Sequence, residues 1–472
     1  MDKRYKRLGR NTILVFLGNV GSRLIALLML PLYTRWLTPA EYGTTDILTV
    51  YATLLSAFVG LAISDAIFIF PKNADENGRK SYFSTGIAFS LVSFAIGFIV
   101  FFLLDIIFKY YDIKNVLSEN LWFVYLLIIG GLVQSYTQQF TRAIDKMAVY
   151  CGTGIVHTAS IAVFAFILIP GHGVNGYLSS IVLSYFVTSV YTFLFSKSYN
   201  YFCFRSIKKV SLIELLRYSI PLVPNGIMFW LIGSLNRPLV EHYIGLDANG
   251  ILAVASKFPG IISMLFGIFA NAWTISMLEE YGKKDFVSFF NTASKCILLP
   301  TIIGACLLAI FSKPFIMLFA DERYWDAYLY MPIITLSILF SCIGGLVGGI
   351  FAAKKQSKYF FYSSIWGAVA SIVTMFMLIP HFKLYGVTIS MVLSYFVIMM
   401  VRYYFAKTDL QGFQFADILI LLALYAVIVM VVPLSICLLS KVTIYSVIIG
   451  LIVYRNRSLL STIISKIHLY KH

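Results

Sequence analysis

Apolar runs about as long as a bilayer is thick recur along the chain from Thr12 to Tyr454, with no long polar stretch between them. A membrane-spanning helix needs roughly 20 mainly apolar residues, because the hydrocarbon core is about 30 Å thick. A mean hydropathy of +0.85 and a charged fraction of 12%, against about 25% in soluble domains, exclude a water-soluble fold. The sequence therefore predicts an all-α polytopic membrane protein.

The apolar runs are separated by charged, proline and glycine clusters, and this division predicts fourteen transmembrane helices. The first run is too long for a cleavable signal peptide and lacks a small-residue cleavage site, so we expect the N-terminus to be retained. The predicted helices lie near 11–37, 45–70, 82–108, 120–141, 149–169, 174–196, 213–237, 249–276, 286–312, 328–352, 359–380, 384–405, 416–438 and 441–455.

The basic residues between these helices fall mainly on one side of the membrane. With the N-terminus inside, the cytoplasmic segments carry 26 basic residues and the outer segments carry 7. The positive-inside rule therefore places both termini in the cytoplasm. Orientation also accounts for the net charge of +16, so we expect no nucleic-acid partner.

A duplication is visible within the sequence. Residues 168–187 and 378–397 share 11 identities at a constant shift of 210, and the hexapeptide Val182–Val187 recurs as Val392–Val397. A weaker echo relates Gly43 to Gly250 at a shift of 207. Because the shift spans six helices, an even number, the copies form a parallel repeat. We predict six-helix lobes at 1–205 and 206–410, two extra helices at 411–456 and an amphipathic cytoplasmic tail at 457–472.

The segment Arg35–Gly43, which reads RWLTPAEYG, resembles the RxLxPxEYG signature of the polysaccharide transporters. These form a family within the multidrug, oligosaccharidyl-lipid and polysaccharide (MOP) exporter superfamily. The pair Gly60-Leu61, the helix count, the six-plus-six duplication and the two extra helices also fit this family. Many relatives carry a basic residue shortly after the Gly-Leu pair, whereas this chain has Asp65 followed by an apolar run.

The resemblance implies a flippase of the bacterial cytoplasmic (inner) membrane. Its cargo would be an undecaprenyl-diphosphate-linked oligosaccharide used in O-antigen, capsule or exopolysaccharide assembly, with no cofactor. A polysaccharide polymerase and chain-length proteins are partners that the resemblance alone suggests. Alternating access through a cationic cavity between the lobes is the expected mechanism. The alternative is a multidrug or cation antiporter of the same superfamily.

Four of the 37 basic residues belong to neither side in this count and fall within predicted spans, where a charge costs about 2.5–3.5 kcal/mol and usually faces a cavity or a partner. They are Arg23, Arg237, Lys257 and Lys295. Because the lipid carrier's diphosphate is anionic, we predict that these side chains bind cargo. The competing interpretation of Arg23 is a hydrogen bond to a polar neighbour such as Asn19. For Arg237, close to the outer membrane surface, the competing interpretation is snorkelling.

Three asparagines within the spans, Asn225, Asn236 and Asn271, could bind sugar hydroxyls or could join helices to one another. Asp65 is the candidate for ion coupling, although it could also reach water at the cytoplasmic mouth. The lone His157 is more typical of a packed residue than of a proton relay.

Nothing in the sequence resembles an enzyme active site. Glycine-rich phosphate loops, metal clusters and triad spacings are absent, and no predicted outer loop exceeds about 15 residues. The six cysteines are scattered, so we expect no metal or disulfide role for them. We therefore predict a transporter with no catalytic residues and no direct use of ATP.

Overall fold

The structure is a computed structural model that describes residues 3–354, 356, 358–434 and 438–455. Their side chains are described from Phe16 onward, except at 271, 275, 438, 439, 441 and 453. The described residues form α-helices and short 3₁₀ turns, which confirms the all-α prediction. The helices are α1 Lys3–Trp36, α2 Pro39–Gly60, α3 Ile63–Lys72, α4 Glu76–Tyr110, α5 Val116–Glu119, α6 Leu121–Ala143, α7 Met147–Phe195, α8 Lys209–Ser219, α9 Leu222–Ser234, α10 Asn236–Tyr243, α11 Leu246–Ala255, α12 Pro259–Glu280, α13 Phe286–Ile310, α14 Ser312–Phe319, α15 Ala327–Ala353, α16 Lys358–Ala406, α17 Phe415–Val431 and α18 Leu438–Arg455.

Within the described residues, nine helical segments are long and apolar enough to cross a membrane. The bent pair α2 and α3, which meet at 55°, raises this number to ten. Apolar helices α11 and α17 are shorter, as is the segment Val442–Ile452 of α18. The chain is therefore a multi-pass membrane protein, and the count of fourteen spans stays a prediction.

The two 49-residue helices, α7 and α16, each contain a sharp break where the sequence predicted two spans. The break in α7 is at Gly173, with φ 51° and ψ −126°. In α16 it is at Lys383, with φ 50° and ψ −129°. These two positions are separated by the repeat shift of 210 residues. The sequence duplication is thus also a duplication of backbone geometry.

A close approach of backbones follows each break. A Cβ atom added at Gly176 would lie 2.3 Å from the Leu168 carbonyl oxygen, and one added at Gly386 would lie 2.4 Å from the Leu378 carbonyl oxygen. Both contacts require glycine, since real Cβ atoms are not found closer than 3.0 Å. The identities shared by residues 168–187 and 378–397 therefore specify the same helical hairpin twice.

The family-like segment Arg35–Gly43 spans the end of α1, the two-residue connection and the start of α2. The Thr38 hydroxyl accepts a hydrogen bond from the Glu41 backbone N–H at 3.3 Å, and the Glu41 carboxylate accepts one from the Thr38 N–H at 2.8 Å. Pro39 follows as the first helical residue. This reciprocal capping box satisfies backbone donors that a helix start leaves unpaired.

Gly43 lies where α2 crosses α11. A Cβ atom at Gly43 would lie 2.0 Å from the Leu246 carbonyl oxygen, and one at Gly250 would lie 2.0 Å from the Pro39 carbonyl oxygen. Both residue pairs, 39 with 246 and 43 with 250, are separated by 207 residues. The contact is therefore reciprocal, which is the pattern that a local twofold axis produces.

The chain forms two compact units that divide between Gly250 and Ile251. In the first unit, one core cluster joins α2, α4, α6 and α7 around Leu48, Val124 and Leu178. In the second unit, a larger core joins α12, α13, α15, α16, α17 and α18 around Phe290, Ile350 and Tyr425. The predicted lobe boundaries stay predictions, and the predicted tail at 457–472 lies outside the described residues.

Candidate cationic site

Arg23 lies in α1, inside the apolar segment Phe16–Trp36. It is about three residues, or roughly 4.5 Å at 1.5 Å per residue, from the midpoint of that segment. Its side chain is exposed. Among the described residues it makes no hydrogen bond or ion pair, so the competing bond to Asn19 is not formed there. A charge at this depth needs water or an anion as its partner.

Arg237, at the start of α10, is paired with an acidic residue that the sequence analysis did not single out. Its Nε lies 2.9 Å from the Asp46 carboxylate, and the two side chains are 12% and 23% exposed. The Nη1 atom of Arg237 is buried and makes no hydrogen bond within the described part of the chain. In this structure Asp46 neutralises Arg237, while part of the guanidinium is left without an acceptor.

Further polar contacts of α2 surround this ion pair in the first unit. The Tyr51 hydroxyl donates to the Glu241 carboxylate at 2.9 Å, and the Trp230 indole N–H donates to the Val50 carbonyl oxygen at 3.1 Å. Asp46 lies at the start of a predicted span and Glu241 between two predicted spans, so hydropathy does not indicate that these acids are partly buried. Together with Arg237 they link α2 to α9 and α10.

Lys257 and Lys295 lie in the second unit. Lys257 is half-buried and lies between the end of α11 and the start of α12 at Pro259. The Lys295 ammonium lies 2.9 Å from the Asp417 carboxylate of α17 and also bonds Gln414. Lys295 therefore connects α13 to α17, the first of the two predicted extra helices. Its predicted role in cargo binding is untested.

Asp417 also accepts a bond from Arg455, at 2.6 Å, so one carboxylate joins α13, α17 and α18. Outside the spans, Lys354 pairs with Asp409 at 2.9 Å. The hydrogen bond to the Asp409 carboxylate raises the pKa of Lys354 above its ordinary value. These cations have protein partners, whereas Arg23 has none among the residues that the structure describes.

The remaining predicted site residues differ in their exposure and packing. Asn225 and Asp65 have exposed side chains, and Asn236 is buried at the start of α10. The side chain of Asn271 lies outside the described residues. The His157 ring stacks on Tyr185 with a centroid separation of 4.9 Å, an arrangement that fits a packed residue.

Arg402, near the C-terminal end of the predicted helix 384–405, lies inside α16. Its Nε donates to the Ser363 hydroxyl at 3.1 Å and its Nη1 to the Gly344 carbonyl oxygen at 3.0 Å. The guanidinium carbon of Arg402 lies 5.1 Å from the centroid of the Phe360 ring. Because Arg402 lies close to the end of a predicted helix, the sequence does not indicate that it is enclosed. Its enclosure is visible only from its packing against α15.

The chain matches the family described as polysaccharide biosynthesis protein over residues 8–281, which is more than half of its length, and the family described as MatE over residues 221–377. It is 21% identical over 408 residues to the capsular polysaccharide biosynthesis protein CapF of Staphylococcus aureus, covering 84% of this chain and 99% of CapF. It is 23% identical over 393 residues to the uncharacterized membrane protein MJ1375 of Methanocaldococcus jannaschii, covering 80% and 92%.

Solved structures share the fold. The lipid II flippase MurJ in an inward closed conformation superposes with a TM-score of 0.68 at 15% identity, covering 95% of this chain and 99% of MurJ. A multidrug resistance MATE family transporter of the MOP superfamily, in an inward-facing conformation, gives a TM-score of 0.62 at 16% identity, covering 88% and 100%. The chain belongs to the polysaccharide biosynthesis protein family and has the fold of the MOP superfamily transporters.

Proposed function

We propose that this protein is a flippase that moves undecaprenyl-diphosphate-linked oligosaccharides across the bacterial cytoplasmic membrane. Membership of the polysaccharide biosynthesis family supports a role in polysaccharide assembly, and the MOP fold supports transport and not catalysis. The oligosaccharides would serve O-antigen, capsule or exopolysaccharide synthesis. Both termini would lie in the cytoplasm.

The observation that carries this proposal is the Arg23 guanidinium, which lies near the middle of an apolar span and has no partner in the described part of the chain. Exposure to lipid would cost about 2.5–3.5 kcal/mol, so the side chain must face a water-filled path. A guanidinium offers paired donors that match the oxygens of a diphosphate. An anionic cargo thus supplies the partner that the described protein residues do not.

Arg237 would take part differently, because its charge is already balanced by Asp46. A diphosphate could bind Arg237 if the Asp46 pair opened during transport. Lys257 lies at a helix break, where a small backbone change can move a side chain. We propose alternating access as the mechanism, with Asp65 as the candidate coupling residue because it is an exposed acid in α3.

The experiment is complementation of a flippase-deficient bacterial strain that makes the cognate lipid-linked sugar. The parent chain, Arg23→Ala and Arg23→Lys are compared at equal membrane abundance. We expect the parent to restore surface polysaccharide and Arg23→Ala to leave the intermediate on the cytoplasmic face. Arg23→Lys should retain part of the activity, since it keeps the charge but loses the paired donors.

A matched control is Arg205→Ala, which removes an exposed arginine between α7 and α8, outside the candidate membrane spans of the described residues. This variant should behave like the parent. Equal activity of Arg23→Ala and the parent would show that the diphosphate does not depend on Arg23. Failure of the parent with a verified cognate sugar, together with extrusion of cationic dyes, would favour the antiporter.

A further inference from the structure

A polar cavity of about 240 Å³ lies within the first unit, between α2, α6 and the second arm of α7. Five hydroxyl groups line it, and we call it the hydroxyl pocket. They belong to Thr49, Thr53, Ser56, Ser135 and Tyr185. Apolar side chains of α2 and α6 complete the wall, and Thr53 is exposed at its opening.

The α2 hydroxyls present their oxygen atoms as acceptors. Thr49 donates to the Asp46 carbonyl oxygen at 2.7 Å, Thr53 to that of Thr49 at 2.8 Å, and Ser56 to that of Thr53 at 2.7 Å. Because each proton is used in the helix, only the oxygen lone pairs remain for a ligand.

The other two hydroxyls differ. Within the described part of the chain, neither the Ser135 hydroxyl nor the Tyr185 hydroxyl makes a hydrogen bond, so each can donate and accept. The His157 ring covers one face of Tyr185, with centroids 4.9 Å apart. The Tyr185 ring is thereby held beside Gly131, whose added Cβ would be 3.6 Å from it. The hydroxyl pocket therefore offers both donors and acceptors.

The pocket lies at mid-depth in each helix that forms it. Thr53 is close to the middle of the bent span Pro39–Lys72, Ser135 is in the second half of Leu121–Ala143, and Tyr185 is in the middle of the second arm of α7. Headgroups do not reach this depth, and unpaired hydroxyls there are costly without a polar ligand or water. Transporters of repeated architecture bind cargo at such a depth.

The lining also restricts the chemical class of the ligand. No charged side chain lines the hydroxyl pocket, which disfavours an isolated anion or cation. Donors, acceptors and apolar walls together match a neutral polyol such as a sugar ring. At about 30 Å³ per water molecule, the volume of about 240 Å³ equals that of about eight waters, which is enough for one pyranose ring.

We propose that the hydroxyl pocket binds one sugar ring of the cargo. This deepens and rests on the proposed function, because it adds a saccharide subsite to a protein that carries a lipid-linked diphosphate. Arg23 would recognise the diphosphate common to all such cargoes. The hydroxyl pocket would recognise the sugar that distinguishes one cargo from another.

The test uses the full chain in lipid nanodiscs and native mass spectrometry with two probes. One probe is undecaprenyl diphosphate carrying a single N-acetylhexosamine, and the other is bare undecaprenyl diphosphate. We expect the parent to bind the sugar-bearing probe about tenfold more tightly, as one or two added hydrogen bonds would give. The double variant Ser135→Ala/Tyr185→Phe should bind both probes equally.

Two further variants separate recognition from folding. Thr53→Leu fills the pocket opening and should reduce binding of the sugar-bearing probe to the level of the bare probe. Tyr395→Phe removes the corresponding hydroxyl of the repeated hexapeptide, in a residue packed against the core of the second unit. It should leave both affinities unchanged. Unchanged binding of the bare probe shows that each variant is folded.

The outcomes distinguish this inference from the function on which it rests. If the parent binds both probes equally, or if the double variant keeps the preference for sugar, the hydroxyl pocket holds only water and the subsite is rejected. The flippase proposal survives that result. If the parent binds neither probe, the proposed function itself is contradicted, and the saccharide subsite falls with it.

Discussion

The reciprocal glycine contact between α2 and α11 permits a quantitative prediction. A Cβ atom at Gly43 would lie 2.0 Å from the Leu246 carbonyl oxygen and 2.8 Å from the Gly250 nitrogen. Since Cβ contacts below 3.0 Å are not tolerated, Gly43→Ala requires the two backbones to separate by roughly 1 Å. Overpacking of this kind costs about 1–3 kcal/mol, so the variant should unfold at a temperature several degrees lower.

Gly250→Ala should have the same effect, because its Cβ would lie 2.0 Å from the Pro39 carbonyl oxygen. The double variant should lose less stability than the sum of the single variants. Once one methyl group has separated the helices, the second methyl group meets less resistance, so the two substitutions are not additive.

The assay is thermal unfolding of the purified chain in detergent, followed by tryptophan fluorescence. Gly226→Ala is the control, because a Cβ there meets nothing within 4 Å. Because alanine has a better helix propensity than glycine, the free energy of unfolding of this control should be unchanged or higher by up to about 1 kcal/mol. If Gly43→Ala and Gly250→Ala behave like the control, the crossing is wrong. A strictly additive double variant would show that the glycines do not share one contact.

Two further predictions concern lysines. Lys383 has φ 50°, a backbone conformation that costs a non-glycine residue about 1–3 kcal/mol. Lys383→Gly should therefore raise the unfolding temperature, even though glycine adds conformational entropy to the unfolded chain. A lower unfolding temperature would show that the backbone is not strained at Lys383. Asp417→Asn removes the carboxylate that pairs with Lys295 of α13, so it should lower the unfolding temperature more than Lys295→Ala, which removes the charge from the span itself; both variants should retain transport in the complementation assay. Loss of transport in Lys295→Ala alone would instead support cargo binding by Lys295.

Periodic features of the sequence predicted much of the fold. Apolar run length predicted membrane helices, and the repeat predicted equivalent hairpins, whose breaks at Gly173 and Lys383 have nearly identical backbone angles. These features are either local in the sequence or present in both copies of the repeat, so a single sequence is enough to reveal them. The exact number of spans is harder to predict, because a kinked helix such as α7 can be read as one element or two.

The partners of the charged residues could not be predicted in the same way. Arg237 pairs with Asp46 and Lys295 with Asp417, and both pairs join helices that are far apart in sequence. Hydropathy gives the depth of a charge but not the face of the helix from which it projects. Arg23 could be singled out because its depth alone makes it costly, whereas the enclosure of Arg402 depends on neighbouring helices.

The central claim is transport of a lipid-linked sugar by way of Arg23. The most direct measurement reconstitutes the parent and Arg23→Ala in liposomes and follows the sidedness of undecaprenyl diphosphate carrying one N-acetylhexosamine, using an impermeant enzyme that modifies only the outer sugar. We predict that the parent makes the lipid-linked sugar of the inner leaflet accessible to the enzyme. Arg23→Ala should do so at least tenfold more slowly, because a tenfold effect corresponds to the loss of about 1.4 kcal/mol of diphosphate binding. Accessibility that is the same with and without the parent would contradict the flippase account.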